Sequence, residues 1–255
     1  MTSPSSTERF TDRVADYVRF RPDYPAALVD FLHGPCAVAP TAPVADIGAG
    51  TGISTRMLLD AGHPVVAVEP NAAMRAAADA WLGGLPGYRS VAGTAEATTL
   101  ESGSVGLVTA AQAFHWFDQD KTRQEFARVL APGGQVALFW NSRLLEGSAF
   151  LRDYEALLRH YCPDYATVAE RYPSDEEMAT WFRGGLRHQA RIPHSQRLDY
   201  EALRGRHLSS SFVPKEGHPI HAPMMEALRE LFERDSEGGQ VVFAYDTRIF
   251  VGTVG

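Results

Sequence analysis

The stretch Val44-Ala45-Asp46-Ile47-Gly48-Ala49-Gly50-Thr51-Gly52 carries a strong chemical signal. A short apolar run enters a glycine turn, and the turn opens a helical stretch. Glycines there let the backbone take positive φ and approach a ligand closely. The helix N-terminus beyond them offers unpaired N–H groups and a partial positive charge, which together suit an anion. Two anions fit such a turn: the pyrophosphate of a dinucleotide, or the carboxylate of S-adenosylmethionine (SAM). Spacing separates them. The dinucleotide fingerprint is GxGxxG, whereas here glycines stand at 48, 50 and 52 and Ile occupies 53. Asp46 suits an ammonium group better than a pyrophosphate, and is expected to attract the amino group of SAM directly or through water. Glu69 closes the next predicted strand, at the edge where open α/β sheets bind ligands. A carboxylate there can accept two hydrogen bonds from ribose hydroxyls.

If the ligand is SAM, the chemistry is an in-line displacement with a leaving group that is already activated. Positioning then supplies much of the rate, and a base is needed only where the acceptor loses a proton. His115 lies between Phe114 and Trp116 near a predicted strand end. Imidazole as a side-chain type has an intrinsic pKa close to neutral, which makes His115 the first candidate for base or substrate anchor. Glu170 is the second candidate base. Asn141, Arg143 and Arg171 are candidates for holding an anionic substrate. His188, His194, His207, His218 and His221 lack helical i, i+4 spacing with a third carboxylate ligand, so no catalytic metal is expected.

These residues need a scaffold. Strands are expected over residues 44–47, 64–69, 88–92, 105–110 and 135–140, and helices over 51–61, 72–82 and 119–130. Ala131-Pro132-Gly133-Gly134 is a stop signal for the last of these helices. The alternation predicts an α/β, Rossmann-like doubly wound sheet, mostly parallel with an antiparallel final strand over 240–254. Residues 10–32 have helical spacing that Pro22 and Pro25 should split in two. Residues 148–161 read as a helix, 162–182 as irregular, 187–198 as a strand, and 200–206 and 224–234 as a helix pair placed to form part of a lid. The expected organisation is a disordered arm over 1–9 and a single domain over 10–255. Within that domain, 10–33 form lid helices, 44–141 the SAM-binding core, and 148–239 helices and a substrate cap with one strand.

A formal charge of −7 works against a nucleic-acid substrate, which asks for a Lys/Arg-rich surface. No apolar run approaches the roughly 20 residues that span a bilayer. The Ser/Thr-rich start has no apolar h-region and does not read as a signal peptide. Cys36 and Cys162 have no CxxC partner, so a reducing cytoplasm is the expected location. The expected partner is a small-molecule substrate, handled by a monomer or homodimer.

The glycine loop with Glu69 resembles the class I SAM-dependent methyltransferases. Further motifs resemble the small-molecule group that includes trans-aconitate methyltransferase and its relatives. The resemblance implies cofactor contacts from Asp46, Gly48, Ala49, Gly50, Gly52, Glu69 and Pro70. Gly93-Thr94-Ala95-Glu96 resembles the family's GDAE segment, which implies that Thr94 (at the Asp position), Ala95 and Glu96 surround the adenine. The stretch from Ala111 to Asp118 resembles the family segment that passes below SAM and faces the methyl group. It implies cofactor contacts from Ala111 and Gln112 and substrate contacts from His115 and Trp116. Tyr17…Arg21-Pro22-Asp23-Tyr24-Pro25 resembles the YxxxRPxYP arm that folds over the cofactor. There Tyr17 and Arg21 would close the site and Tyr24 would reach substrate. Trp140-Asn141 resembles the family's WN pair, and with Arg143 and Arg171 completes the implied substrate set. The implied reaction gives a methylated small molecule and S-adenosylhomocysteine (SAH), with O-methylation first. The alternatives are C-methylation of a prenyl-like or aromatic carbon, a non-catalytic SAM-binding protein, and an NAD-dependent oxidoreductase, which Ile53 disfavours.

Overall fold

The computed structural model describes residues 20–169 and 173–254. Tyr17, Glu170 and Arg171 lie outside the described residues, as does nearly all of the first helix expected in the arm. The first helix of the described chain, α1 (Ala26–His33), starts directly after Pro25, as a proline at the helix edge dictates.

The four residues of β1 (Val44–Ile47) are all buried, which places this strand inside the sheet. The chain then passes through the glycine turn into α2 (Ile53–Asp60), β2 (Val65–Val68), α3 (Ala72–Leu82) and β3 (Tyr88–Val91). It continues through β4 (Val105–Ala111), a 3-10 turn over Phe114–Trp116, α4 (Gln119–Val129) and β5 (Leu130–Arg143). Five strands run parallel in the order β3-β2-β1-β4-β5. The strand order reverses beside β1, so a crevice opens at the carboxyl ends of β1 and β4, the position where such sheets bind ligands.

After β5 come α5 (Ala149–Tyr161), α6 (Tyr165–Ala169), α7 (Asp175–Trp181), β6 (Leu186–Leu198), α8 (Tyr200–Leu208), α9 (His221–Asp235) and β7 (Val241–Gly252). β7 inserts antiparallel between β5 and β6, completing a seven-stranded mixed sheet with the expected antiparallel final strand. α5, α8 and α9 form a cap packed on one face of β7. Tyr154, Leu158, Leu203, Met224, Leu228 and Phe243 are buried together there. Among the described residues, no helix is long and apolar enough to cross a membrane.

Several boundaries differ from expectation. α2 begins at Ile53 and not at 51, because Gly52 takes the left-handed conformation, φ 88°, as its N-cap. The Ala131–Gly134 signal does end α4, but the chain pairs again at once. Val105 pairs with Leu130 and Leu107 with Gln135, so the four intervening residues bulge from one continuous β5. The stretch 162–182 is not irregular: it carries α6 and α7. Ser174 and Glu177 form a reciprocal capping box at the start of α7.

Glu125 on α4 links the fold to the crevice. Its Oε1 accepts from the Thr98 N–H at 2.8 Å and the Thr98 hydroxyl at 2.5 Å, pinning the loop that carries residues 94–98. Arg128 and the Thr98 donors hold its carboxyl down at about 2. A depressed carboxyl contributes stability above its unfolded pKa of about 4.3 and loses that contribution as pH falls toward the folded value. Glu125→Gln should therefore be less stable than wild type at neutral pH, and the gap should close between about pH 4.5 and 2. Denaturant melts across that window check this; a gap that does not change with pH contradicts it.

Candidate functional site

The glycine turn is held from below. Asp46 is fully buried, and its carboxylate accepts hydrogen bonds from the hydroxyls of Ser54 (2.7 Å), Thr55 (2.7 Å) and Thr109 (2.8 Å). Burial pushes its carboxyl up, and the three hydroxyls oppose that shift. Asp46 thus ties β1 to α2 and β4, and it is not among the residues that line the crevice, so a direct contact with a ligand's amino group is not what these bonds favour. Above it, Gly48, Gly50 and Gly52 take φ of 66°, 58° and 88°. A Cβ at Gly48 would sit 2.7 Å from Ala113 Cβ, and one at Gly52 only 2.5 Å from Leu82 Cδ1. At Gly50 the nearest atom would be Met74 Sδ at 3.8 Å, so this glycine borders open space.

That space is a crevice of about 180 Å³, whose walls include Gly48, Gly50, Glu69, Pro70, Asn71 and Met74. Glu69 is buried at its edge. One carboxylate oxygen accepts from the Gly50 N–H and the other from the Asn71 N–H, each at 2.8 Å. Desolvation raises its pKa against these two bonds. An ionised carboxylate has about four acceptor positions, so Glu69 can still receive two hydroxyls. Thr94, Ala95 and Glu96 line the same crevice, as do Ala111, Gln112 and Trp116. Glu96 is also tied to the start of α4, where its Oε1 accepts from the Asp118 N–H at 2.9 Å.

A smaller crevice of about 40 Å³ continues under the arm, where Arg21, Pro22 and Tyr24 face Ala49, Gly50 and Thr51. Tyr24 packs edge-on against Phe139 at 4.9 Å and lines this crevice rather than the acceptor side assigned to it from sequence. The arm is docked on the cap: Arg21 Nη2 donates to the Ser209 carbonyl at 3.0 Å, and Phe20 lies against Gly205 of α8.

On the far side of Gln112 lies a chamber of about 330 Å³. His115, Trp116, Asn141 and Arg143, four of the residues singled out in the sequence, line it. Asn141 is also a brace, donating to the Asp23 carbonyl at 2.8 Å and accepting from the Thr247 hydroxyl at 2.7 Å. Trp140 does not reach the chamber. It is fully buried between Phe114 and Phe250, because adjacent strand residues face opposite sides of the sheet. Tyr154, Tyr165, Arg206, Ser210, Phe212 and Phe243 complete the walls. No local pattern marks these six as one wall, since they come from α5, α6, α8, the loop after it and β7.

Gln112 is the wall shared by all three spaces. It holds φ 57°, uncommon for a residue with a side chain. Its N–H donates to the Phe139 carbonyl at 3.0 Å, and its amide nitrogen donates to the Asn141 carbonyl at 3.2 Å. Its side-chain oxygen is buried and has no hydrogen-bond partner among the described residues.

A methyltransferase-domain profile matches residues 45–138, the part holding the glycine turn, Glu69 and Gln112. An uncharacterized methyltransferase-like protein of Schizosaccharomyces pombe is 31% identical over 98% of this chain and 97% of its own. The chain belongs to the SAM-dependent methyltransferases. Solved structures agree in fold. A chain from Anaeromyxobacter dehalogenans, provisionally named a type II methyltransferase, superposes with a TM-score of 0.61 at 24% identity, covering 92% of this chain and 98% of that one. The geranyl diphosphate C-methyltransferase of Streptomyces coelicolor, solved with SAH, superposes at 0.50 with 18% identity, covering 90% and 76%. This methyltransferase therefore uses SAM, and the residues around the first crevice fit it. The glycines leave a backbone cradle at Gly50, and Glu69 has acceptor positions for a ribose.

Glu69→Ala should weaken SAM roughly tenfold or more, as hydrogen bonds to a charged group contribute about 1.5–3 kcal/mol. Calorimetry with SAM and a 2′,3′-dideoxy analogue checks the cause. The analogue should lose little, whereas equal losses would show that Glu69 acts only by holding Gly50 and Asn71.

Proposed function

We propose that this methyltransferase acts on a small molecule bound in the chamber beyond Gln112, and that it methylates oxygen. The observation that carries this reading is the shared wall: Gln112 and Trp116 border both the cofactor crevice and a chamber of a size that suits a small ligand. In the proposed arrangement Gly48 and Gly50 admit the methionine portion of SAM, Glu69 receives the ribose, and Thr94–Glu96 flank the adenine. Gln112 Oε1 supplies the acceptor for the amino group that Asp46 cannot reach.

Bound SAM supplies an electrophilic methyl on a sulfonium. The chain's residues hold the acceptor oxygen toward it, exclude water and accept the displaced proton. The O–C bond forms as the C–S bond breaks, and His115, on the chamber wall, takes the hydroxyl proton. Five aromatic side chains on that wall (Trp116, Tyr154, Tyr165, Phe212 and Phe243) favour C-methylation of an apolar carbon as the second reading. Methyl-labelled SAM and a metabolite extract separate the two, because the NMR shift of the product methyl tells oxygen from carbon. A carbon-bound methyl would overturn the first reading.

Closure of the chamber is proposed to depend on the arm's seat at Gly205, where a Cβ would come within 2.1 Å of the Phe20 ring. Gly205→Ala should raise intrinsic helix stability by about 1 kcal/mol and yet dislodge Phe20 and Arg21. The expected result is a large loss of turnover, a smaller loss of SAM affinity and little loss of melting temperature. Unchanged turnover would mean the arm is no lid.

A further inference from the structure

The chamber beyond Gln112 is walled by aromatic rings from four separate elements. Tyr154 comes from α5, Tyr165 from α6, Phe212 from the loop after α8 and Phe243 from β7. They meet as two edge-to-face pairs. The Tyr154 and Phe243 centroids stand 5.0 Å apart with the rings at 76°, and those of Tyr165 and Phe212 also stand 5.0 Å apart, at 63°. Ring quadrupoles favour this arrangement, so each pair holds its two rings at a set angle.

The polar ends of these walls are turned elsewhere. The Tyr165 hydroxyl donates to Glu155 Oε2 at 2.6 Å and accepts from Arg143 Nη2 at 2.9 Å. The Tyr154 hydroxyl is tied to His207 Nδ1 at 2.9 Å. Glu155 and His207 both lie outside the described lining of the chamber, and Glu155 also pairs with Arg143. What Tyr154 and Tyr165 turn to the chamber is therefore ring surface rather than hydroxyl. Position adds to this. Trp116 lines both the chamber and the cofactor crevice, whereas the four rings line neither that crevice nor the one under the arm. A ligand with one end at Trp116 thus has its body against the rings.

We propose that the acceptor is a phenol, with its planar ring held against these two pairs and the hydroxyl that receives the methyl at the Trp116 end. An aromatic ring gains more from such walls than a saturated ring of equal area does. The chemistry agrees. A phenolic hydroxyl ionises at about 10, as tyrosine does, far below an alkyl alcohol, so its proton passes more readily to the base proposed above. The bond from the phenolic oxygen to the methyl carbon forms as the carbon–sulfur bond breaks, and SAH leaves. This rests on reading the chamber as the acceptor site and oxygen as the atom methylated.

The test uses the full chain saturated with SAH and two probes: 2-naphthol and decahydro-2-naphthol, the saturated alcohol on the same carbon skeleton. Calorimetry should show 2-naphthol binding about tenfold or more tighter, the scale of two aromatic contacts. Phe212→Leu and Tyr165→Leu should each bring that ratio down to about threefold, because apolar area stays while one ring contact goes. Tyr165→Phe should keep the ratio, since it removes the bond to Glu155 and leaves the ring. Merely structural rings would lower the melting temperature when replaced and leave the ratio unchanged. Should Tyr165→Leu not fold, Phe212→Leu carries the same readout. Equal binding of the two probes, binding of neither, or a ratio untouched by the leucine variants would each overturn the proposal. The NMR shift of the product methyl tests the oxygen reading separately. Failure of SAH itself to bind would instead bring down the cofactor reading, and this proposal with it.

Discussion

Gly50→Val should eliminate measurable SAM binding while leaving a folded protein. The three turn glycines differ in what a side chain would meet. At Gly48 and Gly52 a Cβ collides with Ala113 or Leu82, so substitution there attacks the packing of the fold. At Gly50 the space is the crevice itself, bounded at 3.8 Å by Met74 Sδ, and the Gly50 N–H is the donor that aims Glu69. A valine would fill the cradle and force a β-branched residue to φ 58°, a strain on the order of 1–3 kcal/mol. Steric exclusion adds to that, so affinity should fall by roughly two orders of magnitude or more. Gly52→Val is the control, expected to lower the melting temperature whether or not SAM is present. Calorimetry and thermal melts on both variants check the separation. Unchanged SAM affinity in a folded Gly50→Val protein would refute the placement of the ligand.

Asp46→Ala has the opposite signature: stability goes first. Three buried hydroxyls lose their acceptor, and each unsatisfied buried group costs about 1–3 kcal/mol. A total loss of about 3–9 kcal/mol would lower the melting temperature by roughly 6 °C or more in a domain of this size. Asp46→Asn keeps one acceptor oxygen and should fall between the two. A normal melting temperature with a selective loss of SAM binding would return Asp46 to the ligand side.

The contrast between Gly50 and Asp46 shows what the sequence could express. The glycine turn and Glu69 were legible because their meaning is local: a strand, a turn and a helix within a few residues. Helix α3 was legible from its composition, with Asn71 accepting from the Ala73 and Met74 N–H groups as its cap. Asp46 was legible as important but not in direction, because its partners come from α2 and from β4, 63 residues away. Trp140 and Asn141 could have been separated by strand alternation alone, since neighbours on β5 cannot both face the chamber. The Ser174 to Glu177 spacing of the capping box was likewise available within 162–182. The chamber was not legible. Tyr154, Arg206 and Phe243 lie far apart in sequence, and only the docking of the cap on β7 brings them together.

The proposed reaction moves the methyl of SAM onto a small molecule held beside Gln112 and Trp116. The most direct measurement is to incubate it with methyl-labelled SAM and a metabolite extract freed of macromolecules, following SAH and label together. SAH and a labelled small-molecule product should appear in equal amounts, both abolished by Gly50→Val. Bound SAM with no label ever reaching a small molecule, or label reaching only protein or nucleic acid when those are restored, would contradict it.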